Sequence, residues 1–139
     1  MSDNPFLDTN VLVYCYSADD HQKRETAMDI LNSFPDAITS VHILNEFSNV
    51  CIRKAGAIPQ DVSKMVYEIV EYVKCVRTDP STVHAALEIK QAFKLSYYGS
   101  FHIATAMQNE SRMFFSEDMQ DGMVAKGVKI INPFNTNIR

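Results

Sequence analysis

Short apolar segments alternate along this chain with longer segments whose apolar residues recur every three or four positions. Apolar residues at that spacing form one face of a helix, whereas short apolar runs between turn residues are typical of buried strands. Strands separated by helices form a parallel sheet covered on both faces. The pattern therefore predicts an α/β fold, with a mainly parallel sheet of about five strands and six or seven helices on its two faces.

Several residues mark where the predicted helices begin and end. Ser40 is a suitable N-cap, and Gly56 is a suitable helix end. Asp79 followed by Pro80 is a further helix start, because proline fits the first helical position. The predicted strands cover residues 5–7, 37–39, 74–77, 112–116 and 128–132, and the predicted helices cover residues 11–17, 21–34, 41–54, 59–73, 80–93 and 100–110.

The chain length is that of one ordinary domain. Its 139 residues include eight Phe and six Tyr, enough large side chains for a substantial core. No linker, repeat or low-complexity segment divides the chain. We therefore predict one domain over residues 1–134 and a C-terminal tail over residues 135–139, since chain ends are often poorly ordered.

Charge and cysteine content exclude several classes of protein. The net charge is −4 and the pI is near 5.5, so a nucleic acid would need a local basic patch, metal ions or a basic partner. No apolar run is long enough to cross a membrane, and the N-terminus does not resemble a secretory signal. The three cysteines are widely spaced and form neither a disulfide framework nor a zinc motif. We expect a cytoplasmic protein.

Three acidic residues lie where a functional site is expected. Asp8 and Asp118 follow predicted strands, whose carboxyl ends form the ligand-binding edge of an open α/β sheet. Glu46 borders the apolar face of its helix, where a charge needs a partner or a metal. Each residue also has a simpler interpretation: a helix cap at Asp8, a solvent-directed side chain at Glu46 and a turn at Asp118. Three carboxylates at one edge favour a shared site.

A cluster of carboxylates suits a hard divalent cation, magnesium or manganese. Such a metal lowers the pKa of bound water, and a second metal roughly 3.5–4 Å away stabilises a leaving oxygen. This chemistry hydrolyses RNA or DNA phosphodiesters without a Ser or His nucleophile. We expect Thr9 and Ser116 either to orient the carboxylates or to serve as caps, and Asn10 either to be an outer ligand or to serve a loop. The four histidines are dispersed. His102, three residues after Gly99, either faces the site or, as we favour, is exposed or at an interface.

The order of these motifs resembles that of PIN domains, most closely the VapC-type ribonuclease toxins of bacterial toxin–antitoxin pairs. The resemblance implies a PIN fold, magnesium- or manganese-dependent endoribonuclease activity on an RNA substrate, a homodimer and a cognate antitoxin. It also implies that Asp8, Glu46 and Asp118 are catalytic metal ligands. The similar segments are FLDTNVLVY at 6–14, 43–47, 95–98 with 103–106, 115–122, and 128–134.

Gly99 is the one departure from the family pattern. In the family an Asp follows the aromatic residue of the third motif, whereas here Tyr98 is followed by Gly99. The local chemistry also favours Asp, which is stabilised in a first helical turn, whereas Gly is destabilising inside a helix. One interpretation is that Gly99 is an N-cap. We favour a second interpretation, in which Gly99 removes a metal ligand. One base change converts an Asp codon to a Gly codon. Because an active ribonuclease toxin poisons its host, we expect a chain that was inactivated by selection or by engineering.

Two functions therefore remain open at the level of sequence. The first is a metal-dependent endoribonuclease toxin, weakened or inactive in this chain because of Gly99. The second is a nuclease-inactive PIN dimer that acts as an antitoxin- or nucleic-acid-binding module. Asp8, Glu46 and Asp118 favour the first function, and Gly99 favours the second.

Overall fold

A computed structural model describes residues 4–135 of the chain. The tail predicted over residues 135–139 lies outside this range, apart from its first residue. The described strands are β1 (Phe6–Leu7), β2 (Ile38–Ser40), β3 (Lys74–Val76), β4 (Met113–Phe115), β5 (Val124–Ala125) and β6 (Val128–Ile131). The described helices are α1 (Thr9–Cys15), α2 (His21–Ser33), α3 (Val41–Ala55), α4 (Pro59–Tyr72), α5 (Pro80–Ala92) and α6 (Tyr97–Gln108).

The strands form one sheet in the order β3-β2-β1-β4-β6-β5. All pairs are parallel except β5 with β6. The predicted α/β fold with a mainly parallel sheet is confirmed. Strand β5 was not predicted. It has only two residues and pairs with β6 across the Lys126–Gly127 turn.

Both faces of the sheet are covered by the rest of the chain. Successive residues of a strand point to opposite faces, and Phe6 and Leu7 of β1 are both fully buried, as are Phe114 and nearly all of Phe115 in β4. The central strands are thus apolar on both sides, as expected for a parallel sheet between helices. None of the helices in the described part of the chain has the length and apolar character needed to cross a bilayer.

Most of the predicted helix ends are confirmed. The Ser40 hydroxyl accepts a hydrogen bond from the Ile43 N–H at 3.1 Å, and Gly56 ends α3 with a left-handed φ of 66°. Asp79 and Thr82 form a reciprocal capping box at the start of α5. Side-chain caps of this kind contribute about 1 kcal/mol each, and here they fix where α3 and α5 begin.

The start of α6 differs from the prediction. We expected a loop over residues 95–99 and considered Gly99 as an N-cap, but Ser96 is the cap and its hydroxyl accepts a hydrogen bond from the Gly99 N–H at 3.0 Å. Gly99 is therefore inside the first turn of the helix. Glycine is a poor helix former, so local propensity places the helix start too late, whereas the buried environment of Gly99 and Ser100 holds the turn in place.

Candidate active site

Two of the predicted acidic residues leave the sheet side by side. Strands β1 and β4 are parallel neighbours with Leu7 opposite Phe115. The Asp8 N–H donates to the Phe115 carbonyl at 3.0 Å, so the chain that follows β1 emerges next to the chain that follows β4. Asp8 and the segment that leads to Asp118 consequently share the carboxyl edge of the sheet.

Asp8 is held from two directions and is buried. Its Oδ1 accepts from the Thr9 N–H at 2.8 Å, which makes it the N-cap of α1. Its Oδ2 accepts from the Ser116 hydroxyl at 2.6 Å. Asp8 thus serves as a cap, as the simpler interpretation proposed, and it is also fixed in orientation by a buried hydroxyl from the neighbouring strand. A buried carboxylate needs such partners.

Glu46 projects from α3 towards the same edge and is half-buried. Its Oε2 accepts from the Thr9 hydroxyl at 3.0 Å. Its Oε1 lies 3.0 Å from the Nε2 of His42 and 3.3 Å from the Nε2 of His102. The hydrogen bond with His102 is the main cause that lowers the Glu46 pKa, and it outweighs the opposing effect of burial. Glu46 therefore has partners at both carboxylate oxygens.

Asp118 lies on the loop after β4 and is the most exposed of the three acids. Its Oδ2 accepts from the Asn10 amide at 2.9 Å, and its N–H donates to the Ser116 hydroxyl at 3.3 Å. Partial desolvation raises the Asp118 pKa, and the negative charges of Asp8, Glu117 and Glu46 raise it further. Asp118 thus lies close enough to Asp8 and Glu46 for their negative charges to act on it, and this arrangement favours a bound cation.

A second group of side chains holds the loop that carries Asp118. Glu117 accepts a hydrogen bond from the Tyr14 hydroxyl at 2.6 Å and forms an ion pair with Lys23 at 2.6 Å. The Lys23 ammonium also lies over the Tyr14 ring, 4.8 Å from its centroid, and the Tyr14 ring contacts Phe134. This cluster fastens the residue next to Asp118 to α1 and α2. The hydrogen bond to Glu117 is the main cause of a raised Lys23 pKa.

Comparison with known proteins identifies the family. Residues 6–120 match the family model described as the PIN domain. This chain belongs to the PIN domain family. Comparison with curated proteins gave no significant match in sequence.

Solved structures with the same fold include several toxins and toxin complexes. The Mycobacterium tuberculosis VapC20, described as a toxin that cleaves the sarcin–ricin loop, is 18% identical with a TM-score of 0.66, over 82% of this chain and 91% of that chain. A toxin–antitoxin complex from Klebsiella pneumoniae is 18% identical with a TM-score of 0.70, over 94% and 98% of the two chains. VapBC2 from Rickettsia felis, bound to promoter DNA, is 9% identical with a TM-score of 0.66, over 91% and 96%. At these identities the likeness establishes the fold.

Gly99 is buried in this PIN domain and faces the loop after β4. A Cβ placed on it would lie 3.0 Å from the Met119 methyl group and 3.0 Å from the Ser96 hydroxyl. Its backbone is helical and does not require glycine. Since Met119 follows Asp118 directly, a side chain at position 99 would be directed towards the loop that carries this acid. The first turn of α6 can therefore take a small side chain if the Met119 side chain shifts by a few tenths of an ångström.

His102 differs from the favoured prediction and agrees with the alternative that it faces the site. His102 was expected to be exposed or at an interface, but it is almost fully buried and faces Glu46. Its ring is packed among Phe6, Phe114 and the other aromatic residues of the core. His42 is one helical turn before Glu46, a spacing that places both on one face of α3, so this contact was readable from the sequence. The contact of Glu46 with His102 depends on how α6 packs, so the spacing of residues in the sequence does not predict it.

The exposed carboxylate of Asp118 should reduce the stability of the metal-free protein. Asp118→Asn keeps an oxygen that can accept from Asn10 and removes the repulsion from Asp8 and Glu117. In a chelator we expect this variant to be more stable than the original chain by about 0.5 kcal/mol, since exposed charges are screened. Urea unfolding measures the difference, with the exposed Asp29→Asn on α2 as the control. An equal gain in the control would contradict a specific repulsion at Asp118.

Proposed function

We propose that this chain is a VapC-type toxin, a divalent-metal-dependent endoribonuclease that is weakened by Gly99 and neutralised by a cognate antitoxin. The observation that carries the proposal is the gathering of Asp8, Glu46 and Asp118 at one edge of the sheet. Hydroxyl and amide groups from Ser116, Thr9 and Asn10 orient them. Membership of the PIN domain family, which is a family of nucleases, supports the same proposal.

The three carboxylates would hold the metal. Their donor atoms are all oxygen, which suits Mg²⁺ or Mn²⁺. Partial burial is the main cause of the raised Asp118 pKa, and the neighbouring carboxylates, whose charge a cation would neutralise, raise it further. When bound, the metal would supply an activated water and stabilise the charge that develops on the phosphate. The roles of Asp8, Glu46 and Asp118 as metal ligands and catalytic residues are part of this proposal.

The remaining polar residues would prepare the site before metal or substrate arrives. Ser116 uses one hydroxyl to donate to Asp8 and to accept from the Asp118 N–H, so it links the two acids. Thr9 links Asp8 to Glu46, because its N–H donates to the first and its hydroxyl donates to the second. Asn10 restrains Asp118 from the other side. Orientation of this kind typically supports ligands by about 10–100-fold in affinity.

RNA is the substrate we propose. The net charge of −4 gives the chain no general attraction for phosphates, so the bound metal would supply the positive charge at the cleavage site. The M. tuberculosis neighbour is described as cleaving the sarcin–ricin loop, which is RNA. The experiment is cleavage of structured RNA in Mg²⁺ and in a chelator. The chain as it stands is expected to cleave weakly and only with metal.

The partner we propose is an antitoxin. We also propose that the protein is cytoplasmic and that two copies of the chain form a homodimer. The neighbours from K. pneumoniae and R. felis were solved as toxin–antitoxin or VapBC assemblies. A cavity of about 180 Å³, lined largely by apolar side chains of α1, α2 and α4, offers space for an apolar partner segment. A co-purifying protein would support this assignment only if it also suppresses RNA cleavage, and sedimentation velocity would test the dimer.

The second candidate function is a binding module without nuclease activity. Gly99 favours it, since the position at which the family carries an acid has no side chain here. In that case the chain would bind its antitoxin, and through it operator DNA, without cleaving RNA. Failure of the Gly99→Asp chain to cleave any RNA, together with retained antitoxin binding, would favour this function.

Metal binding should raise thermal stability if the acidic site retains a cation. At a Mg²⁺ or Mn²⁺ concentration ten times the dissociation constant, the gain is about 1.4 kcal/mol. Differential scanning fluorimetry across a millimolar titration measures the corresponding rise in Tm. Asp8→Asn is the matched control and should respond little, because one ligand has lost its charge. A Tm that stays constant at millimolar metal in the original chain would mean that the site is too weak to act.

A further inference from the structure

His42, Glu46 and His102 form a compact group of three ligating side chains. Each of the three side chains offers one donor atom, and these three atoms all lie within 4.8 Å of one another. Among the His, Cys, Asp and Glu side chains of residues 4–135, no other group of three or more meets this distance. Both imidazole Nε2 atoms approach the same Glu46 oxygen, at 3.0 and 3.3 Å. Asp8 and Asp118 are not members of this group. Glu46 is therefore shared between two different sets of neighbours, one made of oxygen donors and one made of imidazoles.

We propose that His42, Glu46 and His102 form a site for a borderline transition-metal ion, with Zn²⁺ as its representative. Two imidazole nitrogens and one carboxylate oxygen are a donor set that zinc accepts and that magnesium disfavours. This site goes beyond the proposed nuclease, and its existence does not depend on RNA cleavage.

The observed distances are close to those a zinc ion requires. With Zn–N and Zn–O bonds of about 2.0–2.1 Å in a tetrahedron, neighbouring donor atoms are about 3.3 Å apart. The two His–Glu distances are already near this value, and the third pair lies within 4.8 Å. A small rotation of the partly exposed His42 side chain would bring its Nε2 to the distance from the His102 Nε2 that a shared zinc ion requires. Glu46 and His42 are both partly open to solvent, so an ion could enter and keep a water in its fourth position.

Packing restrains both imidazole rings before any metal arrives. His42 stacks on Tyr98 with ring centroids 5.3 Å apart, and it also contacts Phe101 at 5.2 Å. His102 is enclosed by Phe6 and Phe114. Ligands that are already ordered lose less conformational entropy when they bind. The aromatic surroundings therefore favour a formed site over two mobile surface histidines.

One feature sets an upper limit on the affinity. The Nδ1 of His102 is buried and has no hydrogen-bond partner in the described part of the chain. A metal on Nε2 moves the ring proton to Nδ1, where metal-bound histidines normally find an acceptor. The missing acceptor should weaken the site by about 10–100-fold. We therefore expect a dissociation constant for Zn²⁺ on the order of micromolar, well above that of a structural zinc site.

The experiment is isothermal titration of the full chain with Zn²⁺ in the presence of millimolar Mg²⁺. We expect one Zn²⁺ per chain that the excess Mg²⁺ does not displace. His42→Gln should weaken Zn²⁺ binding at least about 10-fold, because glutamine keeps a donor for Glu46 but is a poor zinc ligand. His84→Gln, an exposed position on α5, should leave the affinity within about threefold. Glutamine is polar and of similar length to histidine, so we expect His42→Gln to keep the fold, which circular dichroism checks.

Asp118→Asn separates this site from the proposed nuclease site. We expect Zn²⁺ binding to survive that substitution within about threefold, whereas the response to Mg²⁺ should be lost. Co²⁺ is a second probe, since its visible spectrum changes when imidazoles bind and should revert in His42→Gln. Absence of Zn²⁺ binding, equal binding by His42→Gln, or loss of Zn²⁺ binding in Asp118→Asn would overturn the proposal. None of these outcomes bears on RNA cleavage measured with Mg²⁺ alone.

Discussion

Replacement of Gly99 by Asp should raise metal-dependent RNA cleavage by at least about 100-fold. The new carboxylate would start from the first turn of α6 and be directed towards the loop that carries Asp118. A bound catalytic metal contributes several kcal/mol to transition-state stabilisation, and a fourth acid that holds it more fully should recover part of that contribution. About 2.7 kcal/mol corresponds to 100-fold in rate. The measurement is the initial rate of cleavage beside the original chain, in Mg²⁺, in Mn²⁺ and in a chelator.

Gly99→Asn is the matched control, because Asn has nearly the shape of Asp without its charge. Both side chains must displace the Met119 methyl group and fit beside the Ser96 hydroxyl, each 3.0 Å from the added Cβ. Met119 is a flexible side chain and can yield at small cost. We expect the Asn variant to fold with no gain in cleavage. Equal gains from Asp and Asn, or no gain from Asp, would contradict the assignment of Gly99 as a lost ligand.

Asp8→Asn, made in the Gly99→Asp chain, should lower RNA cleavage by about 1000-fold. Asp8 is the most buried and most fixed of the three acids, and Asn can still accept from the Thr9 N–H. The substitution thus removes the charge that holds the metal and leaves the cap of α1 in place. A loss of about 4 kcal/mol in transition-state stabilisation corresponds to that factor.

The control for this substitution is Asp29→Asn, which removes an exposed carboxylate on α2 at a distance in sequence from all three acids. It should cleave RNA at the rate of its parent chain. Thermal unfolding of both variants in a chelator shows whether each is folded. A folded Asp8→Asn chain that keeps more than about a tenth of the parent rate would exclude Asp8 as an essential ligand.

Local signals in the sequence predict most of this fold. Ser40, Gly56 and the Asp79–Pro80 pair mark helix ends through hydrogen bonds and backbone angles that depend on neighbouring residues alone. Predictions from sequence were wrong where local propensity and tertiary structure disagree. Gly99 looks like a helix boundary, yet α6 begins at Tyr97, because Ser96 caps the turn and Gly99 is buried beside Met119.

In the candidate site too, some contacts could be predicted from the sequence and others depend on tertiary packing. Asp8 and Asp118 were placed at one edge because the carboxyl ends of parallel strands meet there, and the contacts of Thr9, Asn10 and Ser116 with the acids follow from that placement. The position of His102 beside Glu46 depends on the packing of two helices that are distant in sequence. The four-residue spacing of His42 and Glu46 predicts their contact, whereas no spacing rule predicts the contact of His102 with Glu46.

In this proposal the carboxylates hold a divalent cation, and the water that the cation activates cleaves RNA. The most direct test of the proposal is end-group analysis of RNA cut by the Gly99→Asp chain in Mg²⁺, in a chelator, and after Mg²⁺ is restored. We predict cleavage that stops in the chelator, returns with Mg²⁺ and leaves ends free of cyclic phosphate, because an activated water is the nucleophile. Cleavage that persists in the chelator, or that leaves 2′,3′-cyclic phosphate ends, would contradict the account.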